Sequence, residues 1–273
     1  MIVERDVERI GPDPAAFAPF DRGDIPVVIE GALVAWPAVS RWTPAYLGEL
    51  IGDVAIRVKR SATSAHPNFA ETSLAAMFAT EPWSFRDFVT SLPSDPSGTR
   101  LFTGDEKFVL RQRDGVTTVD PELRPLLDDV SVPSLIAPDR LYTIWAWFSG
   151  AGVRTGLHYD NNGCHNLNAQ VTGDKDCFLV DPSQLDRCEL FPKGGPNPAT
   201  NCSRLDFAAP GAFAGVRARR AHLGPGDLLF IPAWWLHAFR HTGAFNANIN
   251  FWWKPDVPRD NAVSRRDAVT PAK

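Results

Sequence analysis

The sequence lacks the features that mark zinc-knuckle, secreted or membrane-spanning proteins. No C-x-x-C pair is present, so neither a metal knuckle nor a disulfide framework is predicted, and we expect free thiols at Cys164, Cys177, Cys188 and Cys202. No run of 18 apolar residues occurs, which argues against a membrane span. The charged first residues lack the apolar core of a signal peptide, so we expect a cytoplasmic protein.

The sequence also has no excess of basic over acidic residues. The net charge is −4 and the isoelectric point is about 5.9, whereas a generic nucleic-acid-binding protein carries a basic excess. We therefore expect a small molecule, a peptide or a protein as partner, and neither nucleic acid nor membrane. Repeats, low-complexity tracts and long linkers are absent as well, so the 273 residues predict a single domain.

Aromatic residues and proline are abundant, with nine Trp, seventeen Phe and twenty-four Pro. This composition favours short strands and turns over long helices. Helix signatures, with Thr43 and Ser84 as N-caps, alternate with short strands in residues 1–140, which predicts a mixed α/β part. Short strands separated by Gly, Pro or polar turns then follow. They predict an antiparallel sandwich or barrel core over 141–255, with a tail over 256–273.

One of these strands carries the tripeptide His-Tyr-Asp at 158–160. Alternate residues of a strand point to the same face, so His158 and Asp160 project together and Tyr159 turns away. An imidazole and a carboxylate supply two ligands of a divalent metal, and His237, in a strongly apolar segment, is the candidate for the third. Together they would form the 2-His-1-carboxylate set that leaves open positions on non-haem Fe(II).

Two other strands are polar along one face. The amide residues that alternate with apolar ones are Asn166, Asn168 and Gln170 on the first strand and Asn246, Asn248 and Asn250 on the second. Such faces suit either solvent or the interior of a barrel that binds a polar ligand. Lys175, in a turn before an apolar strand, is either a solvated lysine or a cation that reaches into the barrel to bind a carboxylate.

The sequence resembles the cupin-like, Jumonji C-related family of Fe(II)- and 2-oxoglutarate-dependent oxygenases. The resemblance lies in "GAGVRTGLHYD", "HNLNAQVTGDKDCFLVDPSQ", "LGPGDLLFIPAWWLHAF" and "NINFWW", and upstream in "PVVIEGALVAWPAVSRWT" and "SFRDFV". The family includes the asparaginyl hydroxylases of the hypoxia response and related peptide, protein and tRNA hydroxylases. The resemblance implies a mainly β fold: a double-stranded β-helix, or cupin-type jelly-roll, with an N-terminal α/β part and flanking helices.

The resemblance also implies roles for individual residues. His158, Asp160 and His237 would bind iron, and Lys175 would pair with the C5 carboxylate of 2-oxoglutarate. The other implied co-substrate contacts are Thr155, Asn166 and Asn250. The implied reaction uses Fe(II), 2-oxoglutarate and O₂ to hydroxylate an unactivated C–H bond of an amino-acid, peptide or protein side chain, with release of succinate.

Two departures from the family pattern bear on this assignment. The segment "NNGCH" between Asp160 and Asn166 is longer than the pattern, so we expect it, with Cys164 and His165, at the mouth of the site. "RTG" replaces the commoner T-P just before the histidine strand, so the sequence around Thr155, the implied co-substrate contact, differs from the family pattern. His165 has the opposite strand parity to Asn166 and is not expected to bind metal. The remaining histidines, expected at the surface or locally bonded, are His66, His222 and His241.

Other functions stay open on the sequence alone. Three protein ligands and an open position also suit a zinc or manganese hydrolase or isomerase on the same barrel. A degenerate barrel could bind a ligand without catalysis, and a tRNA base is a further candidate substrate. Little sequence follows the last strand, so we expect no C-terminal helical pair for dimerisation and predict a monomer or a weak dimer.

Overall fold

Strands outnumber helices in the structure, a computed structural model that describes residues 1–61, 81–92, 100–103, 109–113, 116–118, 121–195, 197, 199–206, 209 and 211–268. The α-helices of this part are α1 (Pro14–Gly23), α2 (Pro37–Arg41), α3 (Pro44–Leu50), α4 (Phe85–Ser91) and α5 (Ala262–Ala268). Short 3-10 helices cover Pro121–Asp128, Pro138–Arg140, Asn161–Gly163 and Pro182–Arg187. No helix among the described residues is long and apolar enough to cross a bilayer.

Side-chain caps begin two of these helices at the predicted positions. Thr43 accepts a hydrogen bond from the Tyr46 N–H at the start of α3, at 3.1 Å. Ser84 accepts one from the Asp87 N–H at the start of α4, at 3.0 Å. Pro44 occupies the first turn of α3, where its missing N–H leaves no intrahelical bond unmade. Both predicted N-caps are confirmed.

The strands belong to two sheets. In chain order they are β1 (Ile2–Asp6), β2 (Glu8–Ile10), β3 (Val27–Ile29), β4 (Ala55–Ser61), β5 (Glu81–Ser84), β6 (Arg100–Thr103), β7 (Val109–Arg113), β8 (Val116–Thr118), β9 (Leu141–Gly150), β10 (Arg154–His158), β11 (His165–Thr172), β12 (Lys175–Val180), β13 (Arg217–Leu223), β14 (Leu228–Ile231), β15 (Leu236–His241) and β16 (Phe245–Trp253). The smaller sheet has the order β1-β13-β12-β15-β10. The larger has the order β2-β3-β14-β11-β16-β9-β6-β4-β5, and β7 joins it at β9.

The last eight strands wind between the two sheets. β9, β11, β14 and β16 lie in the larger sheet, whereas β10, β12, β13 and β15 lie in the smaller. Every connection from β9 to β16, except that from β12 to β13, therefore crosses from one sheet to the other. This is the winding of a double-stranded β-helix, so the predicted jelly-roll is confirmed. At the N-terminus, β1 pairs in parallel with β13 and β2 with β3, which extends both sheets.

The main hydrophobic core lies on the outer face of the larger sheet. Leu167 and Ala169 of β11 cluster there with helix residues such as Leu47 of α3 and Phe88 of α4, all fully buried. Successive strand residues alternate between faces, so the residues between these apolar ones point into the barrel. The helical N-terminal half thus covers one face of the sheet and leaves the other free to form a site.

Asp129 joins the helices of the N-terminal half through one buried carboxylate. It is 1% exposed and accepts hydrogen bonds from the Trp42 indole at 3.1 Å and the Tyr46 hydroxyl at 2.7 Å. Arg41 adds an ion pair at 3.1 Å. A buried carboxylate is tolerated because donors on several sides replace the water it has lost.

Replacing Asp129 with Ala should therefore destabilise the fold strongly. The Trp42 and Tyr46 donors would lose their buried acceptor, and we expect the free energy of unfolding to fall by about 3 kcal/mol. Urea denaturation measures the change, and Asp128→Ala, at the exposed neighbouring position, is the control with little expected effect. Equal losses in the two variants would contradict this role for Asp129.

Candidate metal centre

His158 and His237 meet across a strand pair. β10 and β15 are antiparallel neighbours, and His158 lies directly opposite His237 in their register. Opposed residues of antiparallel strands share one face of the sheet. Their imidazole centroids are 4.3 Å apart, so the pairing brings together two side chains that are distant in the sequence.

Asp160 completes the cluster from the turn that follows β10. Its Oδ1 lies 4.0 Å from Nε2 of His158 and 3.7 Å from Nε2 of His237. The candidate ligand atoms of the three residues all lie within 4.8 Å of one another, so one divalent ion could contact all of them. Tyr159 is buried on the opposite side, where its hydroxyl donates to Asp267, as strand parity predicts.

Backbone carbonyls orient both imidazoles. Nδ1 of His158 lies 2.9 Å from the Gly156 carbonyl, and Nδ1 of His237 lies 3.1 Å from the Trp235 carbonyl. A carbonyl only accepts, so each Nδ1 carries a proton and each Nε2 is the ring nitrogen that faces the cluster. Burial, together with the nearby charge of His158, lowers the pKa of His237 to about 4. The His237 ring is therefore neutral, and able to bind metal, at neutral pH.

The Asp160 carboxyl group is held in its ionised form. Burial by itself would raise its pKa, but His237, His158 and two N–H donors together lower the pKa below its ordinary value. The donors are Nδ2 of Asn166 and Nε1 of Trp252, each 2.8 Å from Oδ2. Oδ1 is consequently the oxygen that faces the histidines.

Trp252 is a site residue that the sequence analysis missed. It follows Asn250 by two positions in β16, and this strand parity was the available signal, because both side chains then share the inner face. Its ring also packs against that of Trp145, which in turn stacks with Trp147 at a centroid distance of 5.4 Å. We call these three indoles the tryptophan wall; they line one side of the space beside Asp160.

A β-bulge puts Thr155 on the same face as the histidines. Thr155 pairs with Phe239 and His158 with His237, so three steps along β10 match two along β15. Phe239 faces the interior, where its ring centre lies 4.8 Å from Nζ of Lys175. Regular alternation would have sent Thr155 and His158 to opposite faces. The structure therefore brings Thr155 to the interior, and its co-substrate contact stays a prediction.

The amide faces of β11 and β16 point into the barrel. The registered pairs are Asn166–Trp252, Asn168–Asn250 and Gln170–Asn248. All of the amide side chains are buried, so the interior alternative is confirmed and the solvent alternative is wrong. Nδ2 of Asn250 donates to Oδ1 of Asn166 at 3.0 Å, so these two predicted co-substrate contacts are also bonded to each other.

Lys175 is buried in the same interior, with 1% of its surface exposed. Its ammonium donates to Oδ1 of Asn168 and lies over the Phe239 ring. No carboxylate of the described residues lies within 4.0 Å of it, and burial lowers the pKa of Lys175 to about 7. The solvated-lysine alternative is wrong. A buried ammonium without a counter-ion is costly unless an anion joins it, which suits a site for a carboxylate.

His241 is buried, rather than at the surface, and locally bonded. It lies opposite Lys175 in the pairing of β15 with β12, and its Nδ1 is 3.2 Å from the Ser149 hydroxyl. Burial and the charge of Lys175 lower the pKa of His241 to about 3, so its ring is neutral. Of the other two histidines, His222 is exposed, as expected, and His66 lies outside the described residues.

Cys164 and His165 do not line the mouth of the site, so that expectation is wrong. Both are buried, and His165 begins β11 on its apolar outer face. Nδ1 of His165 accepts a hydrogen bond from the Ala233 N–H at 3.0 Å, and the ring packs against Phe230 and Trp253. β11 begins at His165, and the alternation of its side chains turns His165 away from the metal cluster, as expected from its strand parity.

Gly163 and Trp234 join the two segments that carry the candidate ligands. Gly163, with φ +58°, ends the short 3-10 helix after Asp160, and Trp234 lies three positions before His237. A Cβ added at Gly163 would come within 2.5 Å of the Trp234 ring. Trp234 itself has φ +71°, which costs a side-chain-bearing residue about 1–3 kcal/mol. Close packing on Gly163 helps to hold Trp234 in that conformation.

Replacing Lys175 with Met should stabilise the metal-free protein. The pKa of Lys175 falls from 10.5 to about 7 on folding, so the unfolded chain binds more protons between these values. Wild-type stability should therefore rise with pH across this interval. Lys175→Met removes the buried charge, and the free energy of unfolding at pH 6 should rise by about 1–3 kcal/mol.

Urea unfolding at several pH values measures this effect. The dependence of stability on pH between 7 and 10 should become flatter in Lys175→Met. Lys254→Met, at an exposed position, is the matched control and should behave like the wild type. A less stable Lys175→Met protein at pH 6 would contradict the interpretation of Lys175 as an unpaired buried cation.

Comparison with known proteins identifies the family of this chain. Residues 16–258 match the cupin-like domain family. The chain is 27% identical to the tRNA wybutosine-synthesizing protein 5 of Gallus gallus, over 84% of this chain and 70% of that protein. It is 28% identical to the Homo sapiens protein of the same name, over 84% of this chain and 71% of that protein. It is 24% identical to lysine-specific demethylase 8 of Xenopus tropicalis, over 84% of this chain but about half of that protein, 48%. The chain thus belongs to the cupin-like, JmjC-related family that its motifs resemble.

Proposed function

We propose that this protein is an Fe(II)- and 2-oxoglutarate-dependent oxygenase that hydroxylates a C–H bond of its substrate. The observation that carries the proposal is a buried lysine without a carboxylate partner among the described residues, in the same barrel interior as a His-Asp-His cluster. Membership of a JmjC-related family supports it, because this family generally uses Fe(II) and 2-oxoglutarate.

The chemistry of the clustered side chains suits Fe(II). Two imidazole nitrogens and one carboxylate oxygen converge, which is the 2-His-1-carboxylate donor set of non-haem iron oxygenases. In this role His158, Asp160 and His237 would hold the metal. The carbonyl bonds to both Nδ1 atoms favour the required tautomers before any metal binds.

The residues around Lys175 suit the far carboxylate of 2-oxoglutarate. The ammonium would form a charge-assisted hydrogen bond with it, which would also offset the cost of burying the lysine. Thr155 shares the inner face and could add a hydroxyl donor. His241, beside Lys175, stays neutral and so adds no second cation. Asn166 and Asn250 lie on the opposite, larger sheet and could complete the polar lining.

Bound Fe(II), with 2-oxoglutarate and O₂, supplies oxidative chemistry in which the co-substrate yields succinate and CO₂ and one oxygen atom enters a substrate C–H bond. The protein's own residues bind, orient and exclude water. Lys175 would bind the far carboxylate of the co-substrate, and the His-Asp-His cluster would hold the metal. Phe239 is buried and its ring lies beside both Lys175 and His237, so it provides an apolar surface that excludes water on that side of the space. The tryptophan wall bounds the region beside Asp160, where a substrate could approach.

The same features discriminate against the rival functions. A zinc or manganese hydrolase or isomerase needs three ligands and an open position but has no use for a buried lysine aimed at a carboxylate. A degenerate binding barrel would not require a complete His-Asp-His set with oriented tautomers. Lys175 and the intact cluster together therefore favour the oxygenase.

A spectroscopic titration tests the proposal. Under anaerobic conditions, Fe(II) plus 2-oxoglutarate should give the weak visible absorption of metal-to-ligand charge transfer. His158→Ala should abolish this absorption because one of three metal ligands is lost, whereas His222→Ala, on the outer surface, should retain it. Lys175→Met should need far more 2-oxoglutarate to reach the same absorption. No absorption in the wild type, or its survival in His158→Ala, would contradict the oxygenase proposal.

Two substrate classes are candidates. The sequence favours an amino-acid, peptide or protein side chain, and the name of lysine-specific demethylase 8 points to a protein. The tRNA wybutosine-synthesizing proteins 5, matched over a larger share of their own length, point instead to a tRNA base. These relatives count against the expectation that nucleic acid is not a partner, and they make a tRNA base the better supported substrate.

A local cluster of arginines adds physical support for a polyanionic substrate. Along the edge of the smaller sheet, Arg217 and Arg220 pair with acidic residues of β1. Arg5 and Arg219 lie opposite each other with no carboxylate of the described residues within 4.0 Å, and Arg219 stacks on the Trp235 ring. Leu179 pairs with both Arg219 and His237, which separates these two residues by about 10 Å across the sheet.

Succinate release identifies the substrate class. With Fe(II), 2-oxoglutarate and O₂, total tRNA should raise succinate formation several-fold above the uncoupled background, because productive C–H oxidation completes the turnover. Ribonuclease-digested tRNA and His158→Ala are the controls, and both should stay at background. Stimulation by a peptide or amino-acid pool, without stimulation by tRNA, would instead establish the protein-type substrate.

A further inference from the structure

The oxygen of Asp160 that faces away from the histidines is fully engaged. Oδ2 accepts from Nδ2 of Asn166 and from Nε1 of Trp252, both at 2.8 Å. A carboxylate oxygen has two lone pairs for hydrogen bonds, so both are taken. Oδ1, 3.7 Å from Nε2 of His237, is the oxygen left to face the metal position.

A chain of buried amides fixes which way Asn166 points. Nδ2 of Asn248 donates to Oδ1 of Asn250 at 2.6 Å, and Nδ2 of Asn250 donates to Oδ1 of Asn166 at 3.0 Å. All three residues are at most 5% exposed. Since its oxygen already accepts from Asn250, Asn166 has only its N–H₂ group to offer Asp160. If the Asn166 amide were flipped, its oxygen would face the Asp160 carboxylate, so two acceptors would meet. Its N–H₂ group would face the N–H₂ group of Asn250, so two donors would meet.

We propose that Trp252 and the Asn248–Asn250–Asn166 relay are positioning elements that restrict Asp160 to metal binding through Oδ1 alone. With Oδ2 saturated, the carboxylate takes one coordination position, and the position that a second oxygen would fill stays open for co-substrate or O₂. Outer partners that orient metal ligands typically change metal affinity by about 10–100-fold when removed. The proposal rests on the metal site of the proposed function.

The relay gives Asn250 a role different from the co-substrate contact that the family resemblance implies. A residue that only contacts 2-oxoglutarate would affect affinity for 2-oxoglutarate and leave metal binding unchanged. A relay residue would change metal affinity even when no 2-oxoglutarate is present, because the orientation of Asn166 depends on it. Metal titration without co-substrate therefore separates these roles.

Co(II) titration of the metal-free full chain, without 2-oxoglutarate, tests the inference. Trp252→Phe keeps the ring packing against Trp145 but removes the indole N–H. We expect it to raise the Kd for Co(II) by about 10-fold or more. The visible spectrum at Co(II) saturation should also change, because Oδ2 regains a lone pair that can coordinate. Asn250→Ala should raise the Kd by a smaller factor. A general loss of stability would not alter the saturated spectrum.

Trp145→Phe is the matched control. Trp145 belongs to the same tryptophan wall, but its indole donates to Thr143 at 3.1 Å and not to Asp160, so this variant should keep the wild-type Kd and spectrum. Unchanged Kd and spectrum in Trp252→Phe overturn the inference, and unchanged Kd in Asn250→Ala overturns the relay. If Trp252→Phe does not fold, Asn250→Ala decides alone. Failure of the wild type to bind Co(II) overturns the proposed metal site itself, and with it the proposed function.

Discussion

The antiparallel pairing of β10 with β15 is the constraint on which the rest of the site depends. It sets His158 directly opposite His237, and the bulge within it turns Thr155 to the same face. Backbone hydrogen bonds maintain this register, which holds the two imidazoles close together. Asp160 lies two residues after His158, and this places its carboxylate close to both imidazoles.

The fold separates the part that provides stability from the part that carries the site. Apolar residues on the outer face of the larger sheet join the N-terminal helices in the main core. The barrel interior can therefore bury Lys175, from the smaller sheet, and a row of amides, from the larger sheet, each of which is costly to remove from water. Hydrogen bonds among the amides offset part of that cost and also give the interior a defined polarity, from Asn248 towards Asp160.

The net charge of this protein and the names of its relatives favour different partners. The sum of −4 argued against nucleic acid, yet relatives matched over most of this chain are named for tRNA modification. Binding to a polyanion depends on where charges lie as well as on their total. Arg5 and Arg219, far apart in the sequence, become neighbours only because β1 pairs with β13.

The sequence by itself determined the features that depend on local patterns. Helix caps at Thr43 and Ser84, the short strands after residue 140 and the shared direction of His158 and Asp160 all follow from spacing within a few residues, whereas the jelly-roll winding was implied by the family resemblance. The resemblance added Lys175, whose burial agrees with the implied role. Tertiary structure alone decided whether the amide faces meet solvent or the barrel, since that depends on what packs against the opposite face of each strand.

The register between strands and the position of the β-bulge could not be predicted from the sequence either. Strand parity already turned His165 away from Asn166, but its burial in the apolar core depends on what packs on that face, and the contact between Trp252 and Asp160 arises only because β16 lies beside β11. Local periodicity tells which residues of one strand share a face. Which residues of two strands touch is set by hydrogen bonding between distant segments, and that pairing exists only once the chain has folded.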